Sequence, residues 1–104
     1  MKTGNRQFVQ VSYRFFDKRR ELSPKAIVLY MALKECESRF CNDNRDYFYR
    51  TDDALQDDAG LSYPTLYKAK KELRDAGLIE SWTQKFVYEN GDESDYRVTC
   101  YRIL

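Results

Sequence analysis

A short connection in the middle of the chain constrains the fold more than any other feature of the sequence. It joins two helix-forming segments, "TDDALQDDA" (residues 51–59) and "YPTLYKAKKELRDA" (residues 63–76). Gly60 is typical of the left-handed residue that ends a helix, and Ser62 is typical of the residue before a first helical turn. A connection this short keeps the two helices adjacent and at a large angle. The pattern therefore predicts a helix-turn-helix.

The helix after the turn has one apolar side. Its apolar residues recur at helical spacing and are Leu66, Ala69, Leu73 and Ala76. Pro64 fits the first turn, and Gly77 is placed to end the helix. Because Lys68 and Lys71 lie opposite the apolar residues, the helix is expected to expose a basic face.

A longer helix is predicted earlier in the chain, over "LSPKAIVLYMALKECESRF" (residues 22–40). Ser23 is a good N-cap, and Pro24 suits the first helical position. The aromatic segment "YFYR" (residues 47–50) indicates a short strand. Thr51 directly follows it and is expected to cap the helix that precedes the turn.

The C-terminal part of the chain predicts a β-hairpin. Strands over residues 78–88 and 95–104 flank Asn90-Gly91, a pair that suits a type I′ turn. Trp82 and Phe86 share one strand face and are interpreted as packing residues of the sheet rather than as a stacking platform. The register of the second strand stays open, because two sets of residues compete for the core face: Tyr96, Val98 and Cys100, or Tyr101 and Ile103.

These elements predict one α+β domain with a winged helix-turn-helix fold. It consists of three helices, a short strand and a C-terminal two-stranded wing. The winged helix domain is assigned to residues 21–104. Residues 1–20 are predicted to form an N-terminal extended arm or strand, because side-chain character alternates along part of this segment.

The composition argues against catalysis and metal binding. The 104-residue chain has no histidine, and its three cysteines lack CxxC spacing. We therefore expect no metal, no cofactor and no enzymatic activity. The sequence contains no apolar run long enough to span a bilayer, and the N-terminal residues do not resemble a signal peptide. The expected location is the cytoplasm, with no membrane partner and with the cysteines as thiols.

The net charge is only +1, but it is unevenly distributed. Residues 1–34 hold eight Lys or Arg against two acids, whereas residues 35–61 hold three against eight. Residues 62–88 hold five against three, and residues 89–104 hold two against four. Any basic surface is therefore expected to be local.

The segments "ELSPKAIVLYMAL" (21–33) and "TDDALQDDAGLSYPTLYKAKKELRDAGLI" (51–79) resemble winged helix-turn-helix domains of bacterial, plasmid and phage proteins. The resemblance is strongest to N-terminal domains of replication initiators and replisome organisers, and it spans roughly residues 7–104. Its most specific part is a G-x-S turn, a Thr one turn later and a closing G-L-I at residues 77–79. The resemblance implies sequence-directed binding of double-stranded DNA through a recognition helix, about residues 62–76, in replication initiation or transcriptional regulation.

Two regions depart from the pattern of that family. The helix before the turn is acidic and carries Asp52, Asp53, Asp57 and Asp58. The wing tip is acidic as well, with Glu89, Asp92, Glu93 and Asp95, and only Lys85 and Arg97 nearby. Repulsion from phosphates disfavours insertion of this wing into a minor groove.

The candidate DNA contacts lie on the helix after the turn. A helix in the major groove presents its N-terminal residues to base edges and phosphates, which here are Ser62, Tyr63, Thr65, Tyr67 and Lys68. Lys70 and Lys71 are expected to contact phosphates. Because no arginine precedes Arg74 in this helix, the commonest bidentate reader of guanine is missing, and modest sequence specificity is expected.

The same residues have interpretations that do not involve DNA. The lysines could form a solvated face with Lys68 paired to Glu72, and Ser62 could serve only as a cap. The acidic helix and wing could dock a protein, which would make the domain a protein-protein interaction module. A homodimer also stays open. The basic group Arg14, Lys18, Arg19 and Arg20 could lie along DNA backbone or could keep an exposed loop soluble.

Overall fold

The computed structural model describes residues 13–41 and 45–104, apart from the side chain of Arg14. The helices are α1 (Tyr13–Lys18), α2 (Pro24–Phe40), α3 (Asp52–Ala59) and α4 (Tyr63–Asp75), with a 3₁₀ turn at Arg19–Glu21. The strands are β1 (Phe48–Tyr49), β2 (Ile79–Val87) and β3 (Glu93–Ile103). Over these residues the fold is α+β and winged-helix-like, with an antiparallel sheet in the order β1-β3-β2.

The predicted helix boundaries are largely confirmed, because the residues that favour them make the expected contacts. The Oγ of Ser23 accepts from the backbone N–H of Ala26 at 3.2 Å. The Oγ1 of Thr51 accepts from the backbone N–H of Ala54 at 3.1 Å. Gly60 ends α3 at a φ of 68°, a left-handed conformation that costs glycine little.

One core joins the helices to one face of the sheet. Its fully buried members include Leu29, Leu33, Leu55, Leu66, Leu73, Phe48 and Tyr101. Tyr101 belongs to the core that contains the helix leucines and Ile103 packs against it, whereas Cys100 is not part of it, so the Tyr101 and Ile103 set faces the helices. This settles the register of β3. Because neighbouring strand residues point to opposite faces, Cys100 lies on the far side of the sheet.

The far side of the sheet has its own aromatic layer. The ring of Trp82 lies 5.6 Å from that of Tyr47, and the ring of Phe86 lies 5.3 Å from that of Tyr49. Trp82 and Phe86 are half-buried, whereas Cys100 beneath the layer is fully buried. The interpretation of both aromatic residues as packing residues of the sheet agrees with these contacts.

The structure corrects the prediction of an extended N-terminal arm. Residues 1–12 lie outside the described residues, but Tyr13–Lys18 forms a helix and the next residues form a 3₁₀ turn. The helical turn lets the ring of Phe15 stack on that of Tyr30 with centroids 4.2 Å apart. The described residues thus contain four α-helices instead of the predicted three.

The hairpin turn also differs from its prediction. A type I′ turn requires positive φ at both central residues, and among the described residues only glycines have positive φ. Instead, the N–H of Gly91 donates to the carbonyl of Tyr88 at 2.9 Å, and the N–H of Tyr88 donates to the carbonyl of Asp92 at 2.8 Å. Gly91 takes the left-handed position at a φ of 92°, as in a three-residue loop.

The three cysteines are free thiols, as expected, and two of them are buried. Burial, together with the nearby Asp58 carboxylate, raises the pKa of Cys36 to about 11. A thiol with so high a pKa stays protonated and unreactive at neutral pH. Over the described residues, none of the helices is both long and apolar enough for a bilayer.

Candidate nucleic-acid interface

The helix α4 is anchored by one side and open on the other. Leu66 and Leu73 are fully buried, whereas the side chains of Tyr63 and Tyr67 are 53% and 59% exposed. Ser62 and Lys68 are exposed as well, and Thr65 is half-buried. The structure therefore brings most of the predicted contact residues to one accessible surface at the start of α4.

Lys70 does not belong to this surface, so the prediction that it contacts phosphate is corrected. Its residue exposure is only 9%, and its Nζ lies 2.6 Å from the Oδ1 of Asp52. The same ammonium group lies 5.2 Å from the centroid of the Tyr101 ring. Its charge is thus used to join α4 to α3 and the sheet.

The other two lysines remain on the open side. Lys71 pairs with Asp75 at 2.8 Å, and both side chains are about two-thirds exposed, at 64% and 65%. Lys68 forms no ion pair within the described part of the chain. The interpretation that pairs Lys68 with Glu72 is wrong, because the Glu72 carboxylate is occupied elsewhere.

The carboxylate of Glu72 binds the start of α2. The backbone N–H of Ser23 donates to its Oε1 at 2.9 Å, and the Ser23 hydroxyl donates to its Oε2 at 2.7 Å. We call this pair of hydrogen bonds the Ser23–Glu72 clasp. It removes an acidic group from competition for Lys68 and fixes α2 against α4.

The side chain of Ser62 does not cap α4, although the residue occupies the N-cap position. Its hydroxyl instead donates to the Oγ1 of Thr65 at 3.0 Å. The carbonyl of Ser62 accepts from the backbone N–H of Leu66 at 2.8 Å, so the helix begins where predicted. The described residues offer no side-chain cap to the first turn of α4, so the N–H groups of Tyr63 and Thr65 have no side-chain acceptor there, and Pro64 has no N–H.

Half of the acidic charge on α3 is neutralised within the protein. Asp52 binds Lys70, and Asp58 accepts two hydrogen bonds from Arg50 at 2.9 and 3.0 Å. The hydrogen bond from Arg50 lowers the pKa of Asp58. Asp53 and Asp57 have no ion-pair partner among residues 13–41 and 45–104.

The wing offers little basic surface. Residues 87–93 are all exposed, and in the described chain no Lys or Arg forms an ion pair with Glu89, Asp92, Glu93 or Asp95. Arg97 donates back to its own sheet, through Nε to the Oγ1 of Thr83 at 3.1 Å and through Nη2 to the Thr83 carbonyl at 2.8 Å. Lys85 alone remains as an exposed cation of β2.

The sequence analysis did not predict two contacts, the Lys70–Asp52 ion pair and the Ser23–Glu72 clasp, and only the first is indicated by a pattern in the sequence. Lys70 lies four residues after Leu66 and three before Leu73, so helical spacing alone places it on the apolar side. The Ser23–Glu72 clasp joins residues 49 positions apart, and no local pattern indicates it. No group of His, Cys, Asp or Glu suited to a metal ion occurs within the described residues.

Solved structures of DNA-binding domains share this fold. The "N-Terminal domain of DNA binding protein" matches with a TM-score of 0.61 and 18% identity, over 94% of this chain and 74% of that chain. "Structure of Rep-DNA complex" matches at 0.60 and 16% over 94% and 74%, and "Structure of MDR initiator" at 0.59 and 19% over 94% and 76%. No protein-family model matches the chain, and no curated protein matches it significantly. The chain therefore has the winged-helix-like fold of such domains, which confirms the fold implied by the resemblance.

Proposed function

We propose that this domain binds double-stranded DNA by inserting the open side of α4 into the major groove. The observation that carries the proposal is the accessible polar surface at the start of α4, where Tyr63, Tyr67 and Lys68 project from a helix fixed by its buried leucines. A major groove about 12 Å wide accommodates such a helix. The first-turn N–H groups, which lack a side-chain cap in the described structure, add a favourable site for phosphate.

The contacts divide into two groups. Base edges and adjacent phosphates are assigned to Ser62, Tyr63, Thr65, Tyr67 and Lys68, and the flanking phosphate is assigned to Lys71. Because this part of α4 lacks arginine, hydroxyl groups and one lysine carry the base recognition. The expected binding is sequence-directed with modest discrimination between sites.

The process that we favour is replication initiation. The similar structures include a Rep protein bound to DNA and an initiator, and the resemblance of the sequence points to the same class. Transcriptional regulation is the second candidate, because the same helix placement serves both processes. The proposal assigns the domain no catalytic role.

Salt-dependent binding tests the proposal. We expect fluorescence anisotropy to detect binding of random-sequence duplex at low salt, with an affinity that falls linearly on a logarithmic salt scale. The salt slope is the slope of the logarithm of the binding constant against the logarithm of the salt concentration, and each phosphate contact contributes about 0.9 to it. The double variant Lys68→Ala with Lys71→Ala should therefore make this slope shallower by about 1.8. The matched control, Lys85→Ala, removes an exposed lysine from the wing and should change the slope little. Absence of binding by the wild-type domain at low salt would overturn the proposal.

The exposed acids support one alternative, a protein-binding module. Asp53 and Asp57 on α3 and the wing acids form no ion pairs within the described residues, so they are available to a basic partner. Asp53→Asn with Asp57→Asn separates the two functions. It should leave DNA binding intact or strengthen it if α4 binds DNA, and should weaken partner binding if α3 is the docking surface.

A further inference from the structure

The turn before α2 is basic and lies beside α4. Arg19, Arg20 and Lys25 are exposed, and the Arg19 guanidinium lies 5.3 Å from the centroid of the Phe16 ring. Leu22, which follows the turn, is buried in the core. Phe15, which precedes the turn, is buried as well and stacks on Tyr30, so the backbone that carries these cations is anchored on both sides. We call Arg19, Arg20 and Lys25 the basic turn patch.

Two features connect this patch to α4. The Ser23–Glu72 clasp holds Ser23, which lies between Arg20 and Lys25, to α4 through two hydrogen bonds. A groove of about 240 Å³ lies beside the clasp, lined by Glu21 and Leu22 on one side and by Glu72, Asp75 and Ala76 on the other. Arg20 adjoins Glu21 in sequence, and Lys71 pairs with Asp75 within α4. Cations of the turn and of α4 therefore lie on opposite sides of this groove.

The charge beside the clasp is positive on balance. Asp75 is paired with Lys71, whereas Glu72 accepts from neutral donors and keeps its charge. Residues 14–25 hold five Lys or Arg against Asp17 and Glu21. A surplus of positive charge therefore remains in this segment even when Glu72 is counted.

The dimensions place the patch at the edge of the groove. Glu72 follows Ser62 by ten positions, which corresponds to about 15 Å along a helix, whereas the major groove is about 8.5 Å deep from its rim to the base edges that the start of α4 contacts. When the start of α4 is in the groove, the clasp and the turn lie beyond its rim, where the phosphates are.

We propose that the basic turn patch binds phosphates of the same duplex that receives α4, and that the Ser23–Glu72 clasp fixes its distance from that helix. This inference rests on the proposed function. It assigns the patch a positioning role that increases affinity for every sequence and does not select among bases.

The test compares Arg19→Ala with Arg20→Ala, made together, against the wild-type domain on a random duplex and a selected duplex. We expect the salt slope to become shallower by about 1.8 and the affinity to fall on both duplexes by the same factor. The matched control is Arg39→Ala, which removes an exposed arginine at the far end of α2. If the wild type binds and the double variant has the same salt slope as the wild type, the proposed role of the patch is overturned while the α4 proposal stands. If the wild type does not bind, both fail.

A second measurement tests the clasp. In a Glu72→Ala background, the two arginine substitutions should reduce the salt slope by less than they do in the wild type, because the turn is no longer fixed against α4. An undiminished loss would overturn the role of the clasp. If thermal unfolding shows that the alanine variant is unfolded, Glu72→Gln replaces it: Gln offers one carbonyl oxygen in place of the charged carboxylate, so the clasp is weakened and the loss should shrink to a smaller extent. The triple variant is compared with Glu72→Ala, and the arginine double variant with the wild type, so the effect of removing the Glu72 charge itself cancels.

Discussion

The helix α4 and the wing differ in both charge and anchorage. Two leucines of α4 are fully buried, its Lys70 is held by Asp52, and its open side carries Lys68 and Lys71. The tip of the wing, residues 87–93, is exposed throughout, and its acids are not paired within the described structure. A preorganised cationic surface suits a polyanion, whereas an unpaired acidic loop repels one. The comparison supports the proposal that DNA contacts α4 and avoids the wing.

Removing the buried ion pair should have the largest effect on stability. Lys70→Ala leaves Asp52 without its partner, and Asp52 is 38% exposed, so water offsets part of the loss. We expect the free energy of unfolding to fall by about 2 kcal/mol, below the 3–5 kcal/mol of a fully buried pair. Urea denaturation measures this change. The free energy of unfolding of Lys85→Ala, on the wing, should stay within about 0.5 kcal/mol of that of the wild type. Equal losses at both sites would contradict the claim that α4 is anchored more firmly than the wing.

Acid should weaken the ion pair between Arg50 and Asp58, which joins the residue after β1 to α3. Because the hydrogen bond from Arg50 lowers the pKa of Asp58, the ionised form is stabilised in the folded state. That stability is present at neutral pH and is lost as the pH falls through the lowered pKa. We expect Asp58→Asn to cost about 1 kcal/mol at pH 7 and less at pH 2.

The matched wing variant is Asp92→Asn, since no cation pairs with Asp92 among the described residues. At pH 7 its unfolding free energy should stay within about 0.5 kcal/mol of that of the wild type, because only its bond with Asn90 is lost. A loss as large as that of Asp58→Asn would show that the fold also stabilises the wing acids.

Neutralising acids of the wing should change DNA affinity, and this effect should be the smallest of those predicted. Glu93→Gln with Asp95→Asn removes two negative charges from the wing without adding a contact. If the wing lies near DNA but does not bind it, affinity should rise by about two- to threefold at low salt, and the gain should fade at physiological salt. Anisotropy titrations at two salt concentrations measure the gain. A loss of affinity would mean that these side chains bind DNA directly or through an ion.

The sequence predicted the helices well because local signals determine them. Ser23, Thr51 and Gly60 act where the capping rules place them, and the apolar spacing of α4 identifies its buried side. For residues 13–20 the extended arm was predicted wrongly, because the choice between strand and helix depends on where Phe15 packs. Its partner Tyr30 is distant in sequence, so alternation along the segment carried no information about this contact.

The candidate site was predicted less completely than the fold. A helical wheel separates exposed from buried positions, yet Lys70 was assigned to the surface because charged side chains are rarely buried. Its burial depends on Asp52, which approaches only after the turn at Gly60 brings α3 beside α4. Likewise, the Ser62 hydroxyl donates to Thr65 and does not accept from the backbone of the first turn, and the N-cap rule does not predict which of these bonds forms.

The most direct test of the central claim is a residue-resolved map of duplex binding. In NMR titration of the ¹⁵N-labelled domain with duplex DNA, the account predicts that amide signals of residues 62–71 shift most and those of residues 88–95 stay nearly unchanged. Shifts concentrated on the wing and α3, with α4 unaffected, would contradict it.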